Sequence, residues 1–299
     1  MRDAIVLDGG MGRQLARNGA PFRQPEWSAL ALMEAPDTVL EAHRQFIAGG
    51  AEVITTNSYA VVPFHIGEER FRTDGARLAA LAGTLARQAA DEAPGTRVAG
   101  SLPPLFGSYR PDLFEPARAP ALLEVLVTAL APSVDLWLAE TQGSVAEATA
   151  ACHAVRGTGK PVWVSFTIED DEPDAIPCLR SGEPVAEAAA AMRALGVAAL
   201  LFNCSRPEVM GAAVDAAVSA LAGSDIPVGV YANAFPPRTA QAQANAGLSK
   251  LREDLDTHTY GGCAADWYRR GARILGGCCG VGPEHIAEIA ATLGRPTCS

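Results

Sequence analysis

Eight short apolar runs, each closing on polar or reactive residues, constrain this 299-residue chain more than any other feature. They are Ile5–Gly9, Glu52–Asn57, Arg97–Leu102, Leu136–Thr141, Pro161–Thr167, Ala199–Ser205, Pro227–Asn233 and Arg273–Cys279. Runs that are continuously apolar suit strands buried on both faces, as in a parallel sheet. Between them lie helix-like segments: Thr38–Ala48, Gly75–Glu92, Ala119–Leu130, Ser144–Val155, Pro184–Leu195 and Pro207–Leu221. Several open with Pro, Ser or Thr, which suit a first helical turn. Eight strand–helix units in about 300 residues point to an α/β fold, a (β/α)8 TIM-type barrel. Periodicity alone leaves an open doubly wound sheet as the alternative. No repeat, low-complexity tract or linker interrupts the pattern, so one domain over residues 1–299 is expected. The Pro-rich pieces Leu102–Pro120 and Phe235–Arg238 then fall on loops after the third and seventh strands.

Composition narrows the function classes. At 48% apolar the chain is neither disordered nor disulfide-stapled, and it can bury a large core. Asp and Glu number 34 against 24 Lys and Arg, a net charge of −10 with no basic run. Such a chain is a poor partner for nucleic acid or an anionic membrane. The N-terminus MRDAIVLDGG has no apolar core followed by a small-residue cleavage site, so no signal peptide is expected. The most apolar stretch, Ala186–Cys204, is broken by Arg193 and Gly196 and reads as helix then strand, not as a membrane span. Seven cysteines, an odd number, argue against a disulfide framework and suit a cytoplasmic protein. Metal binding, catalysis or simple burial remain for them.

Polar residues gather where the runs end: Asp8-Gly9-Gly10, Thr56-Asn57-Ser58-Tyr59, Ser101, Glu140-Thr141, Asn203-Cys204-Ser205, Asn233 and Cys278-Cys279. Barrel enzymes build their active sites at that face. Adjacent cysteines make a strained disulfide, so Cys278–Cys279 is a poor bridge. The flanking Gly276, Gly277 and Gly280 free the backbone to turn both sulfurs toward one point. With Cys204 they would make a three-thiolate zinc site whose fourth position stays open, the arrangement of a catalytic metal. On spacing alone, burial as small hydrophobes fits these cysteines too, and it is the expectation for Cys152, Cys178, Cys263 and Cys298. Asp8 also suits a turn or cap before a helix at Arg13, Glu140 a helix N-terminal acid, and Trp27 and Tyr59 half-buried packing.

The motifs Asp8-Gly9-Gly10-Met11, Thr56-Asn57-Ser58-Tyr59, Ala99-Gly100-Ser101, Glu140-Thr141, Ser165-Phe166-Thr167, Asn203-Cys204 and Gly276-Gly277-Cys278-Cys279-Gly280 occur in this order. Together, from Asp8 to about His285, the chain resembles the homocysteine S-methyltransferases, zinc-dependent (β/α)8 barrels that include the betaine- and S-methylmethionine-dependent enzymes. The resemblance implies Zn2+ on Cys204, Cys278 and Cys279. It implies Asp8 and Glu140 on the amino group of L-homocysteine and the Gly9, Gly10 and Met11 backbone on its carboxylate. Trp27 and Tyr59 match aromatic positions near the methyl donor, and Asn233 joins the substrate-binding set. The implied reaction is methyl transfer to the homocysteine thiolate, forming methionine (a 2.1.1-class transferase).

Chemistry agrees with that implication. A free thiol titrates near 8.5, whereas a zinc-bound one is deprotonated at neutral pH. Three thiolates leave the metal electron-rich, so a fourth bound thiolate stays nucleophilic. Two segments depart from the family: Leu102–Arg110 replaces its usual Gly-Pro-aromatic-Gly, and Ala232 stands where S-methylmethionine-using members usually carry Pro. Both face the donor side, which by analogy favours a sulfonium over betaine. The alternatives are a zinc methyltransferase acting on another thiol or selenol, and a zinc barrel that binds thiols without turnover. A zinc hydrolase is disfavoured, since the implied ligands include no His and no His-x-His or His-Glu-x-x-His occurs.

Overall fold

The computed structural model describes residues 3–172, 175–236 and 251–295. Its strands are β1 (Ile5–Val6), β2 (Val53–Thr55), β3 (Arg97–Leu102), β4 (Leu136–Gln142), β5 (Val162–Phe166), β6 (Ala199–Asn203), β7 (Val228–Tyr231) and β8 (Ala272–Leu275). All neighbours are parallel, in the order β1-β8-β7-β6-β5-β4-β3-β2. A parallel bridge between Leu7 and Val53 joins the two ends, so the sheet curls into a barrel. A doubly wound sheet would instead reverse its strand order partway along. The expected (β/α)8 architecture is therefore the one observed.

The helices are α1 (Met11–Arg17), α2 (Ala29–Glu34), α3 (Pro36–Ala48), α4 (Pro63–Ile66), α5 (Glu68–Asp91), α6 (Ala119–Leu130), α7 (Val145–Val155), α8 (Val185–Leu195), α9 (Pro207–Ala220), α10 (Thr257–Arg269) and α11 (Pro283–Thr292). Ser144 caps α7 by accepting from Glu147 N at 3.2 Å, as its sequence suggests. The α5 helix begins well before Gly75. Its start follows Gly67, at φ +84°, and carries Glu68 and Glu69 in the first turn, where the helix dipole favours acids. Six of the eight strands end before their apolar runs do, because the last residues of those runs leave the ladder; β3 spans its run and β4 passes the end of its own by one residue, to Gln142. None of the helices in the described residues is long and apolar enough to cross a membrane.

Side-chain alternation divides the strands between two cores. Val6, Ile54, Val98, Trp137, Val164, Phe202 and Leu275 face outward and pack beneath the helices. Leu7, Val53, Ala99, Leu136, Leu138, Trp163, Leu201 and Ile274 face inward and fill the barrel, the small Ala99 and Ala199 making room for Trp163. Both faces are dry, which explains why the runs read as continuously apolar.

Candidate metal and amino-acid site

Two residues beyond the inward apolar layer, the same period-two alternation brings up a polar layer: Thr55 above Val53, Ser101 above Ala99, Glu140 above Leu138, Ser165 above Trp163 and Asn203 above Leu201. These groups pair across neighbouring strands. Asp8 accepts from Thr55 N at 2.7 Å and from Thr55 Oγ1 at 3.1 Å. Ser101 Oγ donates to Glu140 Oε1, and Ser165 Oγ to Asn203 Oδ1 at 2.8 Å. The polar layer floors one cavity, which Asp8, Glu140, Cys204, Cys278 and Cys279 all line.

Asp8 and Glu140 face that cavity as two buried carboxylates. Burial pushes Asp8 up to about 8, against the lowering effect of the Thr55 hydrogen bonds. Burial likewise pushes Glu140 up to about 7, with Ser101 lowering it and a charge on Cys204 raising it. Both groups therefore call for a cation, and an ammonium between them would restore their ionised forms.

The three sulfurs converge within 4.8 Å of one another, the one group of potential metal ligands of this kind among the described residues. Cys204 Sγ lies 2.8 Å from Cys278 Sγ and 3.9 Å from Cys279 Sγ, and all three are free thiols. Mutual hydrogen bonding and burial hold the Cys278 proton, pushing that thiol well above its ordinary value. Three sulfurs this close cannot all ionise without a cation, and a soft, all-sulfur donor set with one face open to a cavity fits Zn2+. The glycines around the pair act differently from the expectation of conformational freedom. A Cβ on Gly276 would lie 2.5 Å from Leu7 Cβ, and one on Gly277 2.0 Å from Val281 Cγ1. Close approach excludes side chains at both positions; Gly280 alone of the three is left-handed, at φ +88°.

Connections build the cavity wall. Trp27 meets Tyr59 edge-on, with ring centroids 5.5 Å apart, and Asn57 Nδ2 donates to Ser28 O at 3.1 Å to hold that loop. Tyr59 and Ser108 hydroxyls are 2.7 Å apart. Four non-glycine residues are left-handed among those described, Trp27, Tyr109, Thr141 and Cys204, and all four line the cavity. Strain of this kind collects at functional sites.

Gly9, Gly10, Met11, Trp27 and Tyr59 thus share one cavity with the acids and thiols, while Asn233 does not line it. Asn233 Oδ1 accepts from Phe235 N at 3.1 Å and its N donates to Ser205 O, so it ties two loops together. Sequence reasoning passed over Thr55, Ser108, Phe22 and Arg13, the last with its guanidinium 5.8 Å from the Phe235 ring centre. The period-two register could have found Thr55; the loop residues carry no such signal. Cys152 is buried as expected, Cys178 and Cys263 are only half-buried, and Cys298 and the end of the Phe235–Arg238 loop lie outside the described residues.

Two buried carboxylates and a three-sulfur cluster that could bind a metal thus share one cavity at the C-terminal mouth of a (β/α)8 barrel, where barrel enzymes carry their active sites. The homocysteine S-methyltransferase family profile matches residues 5–293, and the chain belongs to that family. A Bacillus subtilis homocysteine S-methyltransferase is 27% identical over 96% of this chain and 93% of its own length. Mouse betaine–homocysteine S-methyltransferase 1 is 26% identical over 97% of this chain and 72% of its own. Among solved structures, the metallated Escherichia coli homocysteine methyltransferase MmuM superposes with a TM-score of 0.78 at 26% identity, covering 97% of this chain and 96% of that one.

Proposed function

We propose that this protein transfers a methyl group from a sulfonium or betaine-type donor to the thiolate of L-homocysteine, forming methionine, with Zn2+ held by Cys204, Cys278 and Cys279. The observation that carries the reading is the facing of Asp8 and Glu140 onto the three-sulfur cluster within one cavity. A short amino thiol can then engage both ends at once. Bound there, zinc supplies the positive charge that keeps a thiol deprotonated at neutral pH.

The chain's own groups do the rest. Asp8 and Glu140 hold the ammonium, and the Gly9–Met11 backbone takes the carboxylate, which fixes the sulfur at the cluster. Ser101 and Thr55 hold the two acids at their stations. Trp27, Tyr59, Tyr109 and Phe235 line the same cavity and offer aromatic faces to a cationic methyl donor. Such faces attract a sulfonium or ammonium without competing for its methyl group. Three free thiols need a reducing compartment, which suits the cytoplasm.

Methionine formation from homocysteine, measured against S-methylmethionine, S-adenosylmethionine, a dimethylsulfonium and betaine, with and without a zinc chelator, tests this reading. Turnover with at least one donor, abolished by the chelator and restored by zinc, is expected. Tight homocysteine binding without turnover on any donor would overturn it.

A further inference from the structure

Asn203 ends β6 immediately before Cys204 and is fully buried. Its Oδ1 accepts from Thr141 N at 3.0 Å and from Ser165 Oγ at 2.8 Å. Its Nδ2 donates to Thr141 Oγ1 at 2.9 Å and faces Cys278 Sγ at 4.0 Å. A backbone N–H can only donate, so the bond from Thr141 N fixes which end of the amide is oxygen, and its NH2 must face the hydroxyl and the sulfur. One side chain therefore touches β4, β5 and the Cys278 loop at the same time.

Both of its partners are demanding. Thr141 directly follows Glu140 and is left-handed at φ +58°, a conformation unfavourable for a β-branched residue. Such a conformation persists only where several contacts enforce it, and Asn203 supplies two, one to the backbone and one to the hydroxyl. Cys278 belongs to the sulfur cluster. A thiolate attracts an N–H donor more strongly than a thiol does, so the 4.0 Å approach should tighten when that sulfur carries charge.

We propose that Asn203 is the positioning residue that couples the two ends of the site: it clamps Thr141, and through it Glu140, while its Nδ2 donates to the metal-bound sulfur of Cys278. The inference rests on the zinc and homocysteine reading above. Donors to ligating sulfurs orient them and adjust the charge they give the metal, and their loss typically costs about ten- to a hundredfold in metal affinity or activity. Asn203 would thus link acceptor binding to metal retention, two properties that the acids and the cysteines otherwise govern separately.

Asn203→Asp keeps the shape and the accepting oxygen but removes both N–H donors. Asn203→Ser shortens the side chain without adding charge and serves if the aspartate variant fails to fold. Thr141→Ala removes the hydroxyl and leaves the amide facing Cys278. Three readouts apply to each: the rate of zinc release to a chromogenic chelator, the sulfur-to-metal charge-transfer band of the Co2+-loaded protein, and the KM for homocysteine. Both Asn203 variants should release zinc about tenfold faster, shift the band, and raise the KM about tenfold. Thr141→Ala should raise the KM while leaving release and band as in wild type. Wild-type release and band in both Asn203 variants would overturn the coupling while leaving the zinc reading intact. A wild-type protein that takes up no zinc would overturn both.

Discussion

The floor of the cavity and its wall are held by different means. Floor groups sit on strand ends, and each is pinned by a residue of the neighbouring strand: Asp8 by Thr55, Glu140 by Ser101, Asn203 by Ser165. Wall groups sit on connections and hold one another, as Tyr59 holds Ser108 and Trp27 packs on Tyr59. The barrel ladder fixes the backbone of the floor, so changing a floor side chain should act through the bonds that side chain makes and leave the strands in place. Loop packing fixes the wall, so it can be rebuilt while the floor stays unchanged; on the proposed reading, that separates the donor end from the acceptor end.

The largest effect is expected at the floor's sulfurs. Cys279→Ala should lose zinc and essentially all methyl transfer, measured by metal analysis of purified protein beside methionine formation. A variant retaining full zinc occupancy and activity would remove Cys279 from the ligand set. Oxidation should release the metal too, because a disulfide between any two of these thiols removes two donors.

Next come the acids. Asp8→Asn and Glu140→Gln should keep zinc and raise the KM for homocysteine about ten- to a hundredfold, the cost of one charge-assisted hydrogen bond of about 1.5–3 kcal/mol. Unchanged saturation in both would make these acids structural. Their titration adds a pH signature. Asp8 at about 8 and Glu140 at about 7 sit above their ordinary 3.8 and 4.5, so the folded protein keeps protons that the unfolded chain has lost. Their contribution to stability is full below the unfolded values and fades as pH rises through about 7 to 8. Without homocysteine, Glu140→Gln should therefore lose less stability than wild type between about pH 5 and 8, by denaturant titration. Homocysteine's ammonium favours the ionised acids, so its binding should expel protons near pH 7, as read by calorimetry in buffers of different ionisation heat. Equal proton release by wild type and Glu140→Gln would break this assignment.

The same division decides what the sequence could reveal. Ala119–Leu130 coincides with the observed α6, and the alternations Ala99–Ser101 and Leu136–Leu138–Glu140 already place Ser101 and Glu140 inward. Asp8 follows the inward Leu7 and reaches the cavity only because the chain leaves β1 there, which no period reveals. The Cys-Cys pair was legible as a possible metal site, but the reason for its glycines was not, since close approach to Leu7 and Val281 is a tertiary fact. Asn233 reads like the other strand-end polar residues, yet it ties the loop after β7 to the loop after β6 and does not line the cavity. The left-handed backbones at Trp27, Tyr109, Thr141 and Cys204 have no local signal, because none of these residue types favours positive φ.

On the wall, Trp27→Leu should weaken donor use about two- to thirtyfold in kcat/KM, the cost of one aromatic face at about 0.5–2 kcal/mol. Homocysteine saturation at fixed donor should stay within about twofold of wild type if wall and floor are independent. A parallel rise in both constants would show that Trp27 serves the floor as well.

The smallest effect tests the seam between the two regions. Tyr59 follows the β2 end that carries Thr56 and Ser58, but its hydroxyl is held from the β3 loop by Ser108 at 2.7 Å. Its ring also stands edge-on to Trp27, at 77°. If that hydrogen bond sets the attitude of the ring, Ser108→Ala should lower donor kcat/KM about two- to tenfold, in line with one hydrogen bond of about 0.5–1.5 kcal/mol. Tyr59→Phe removes the same bond from the other side, together with the hydroxyl's contact with Thr141, and keeps the aromatic face. The double variant should then be no worse than Tyr59→Phe alone, the non-additivity expected of two residues in contact. Fully additive losses would mean that Ser108 acts on the donor directly and that packing against Trp27 alone fixes the ring.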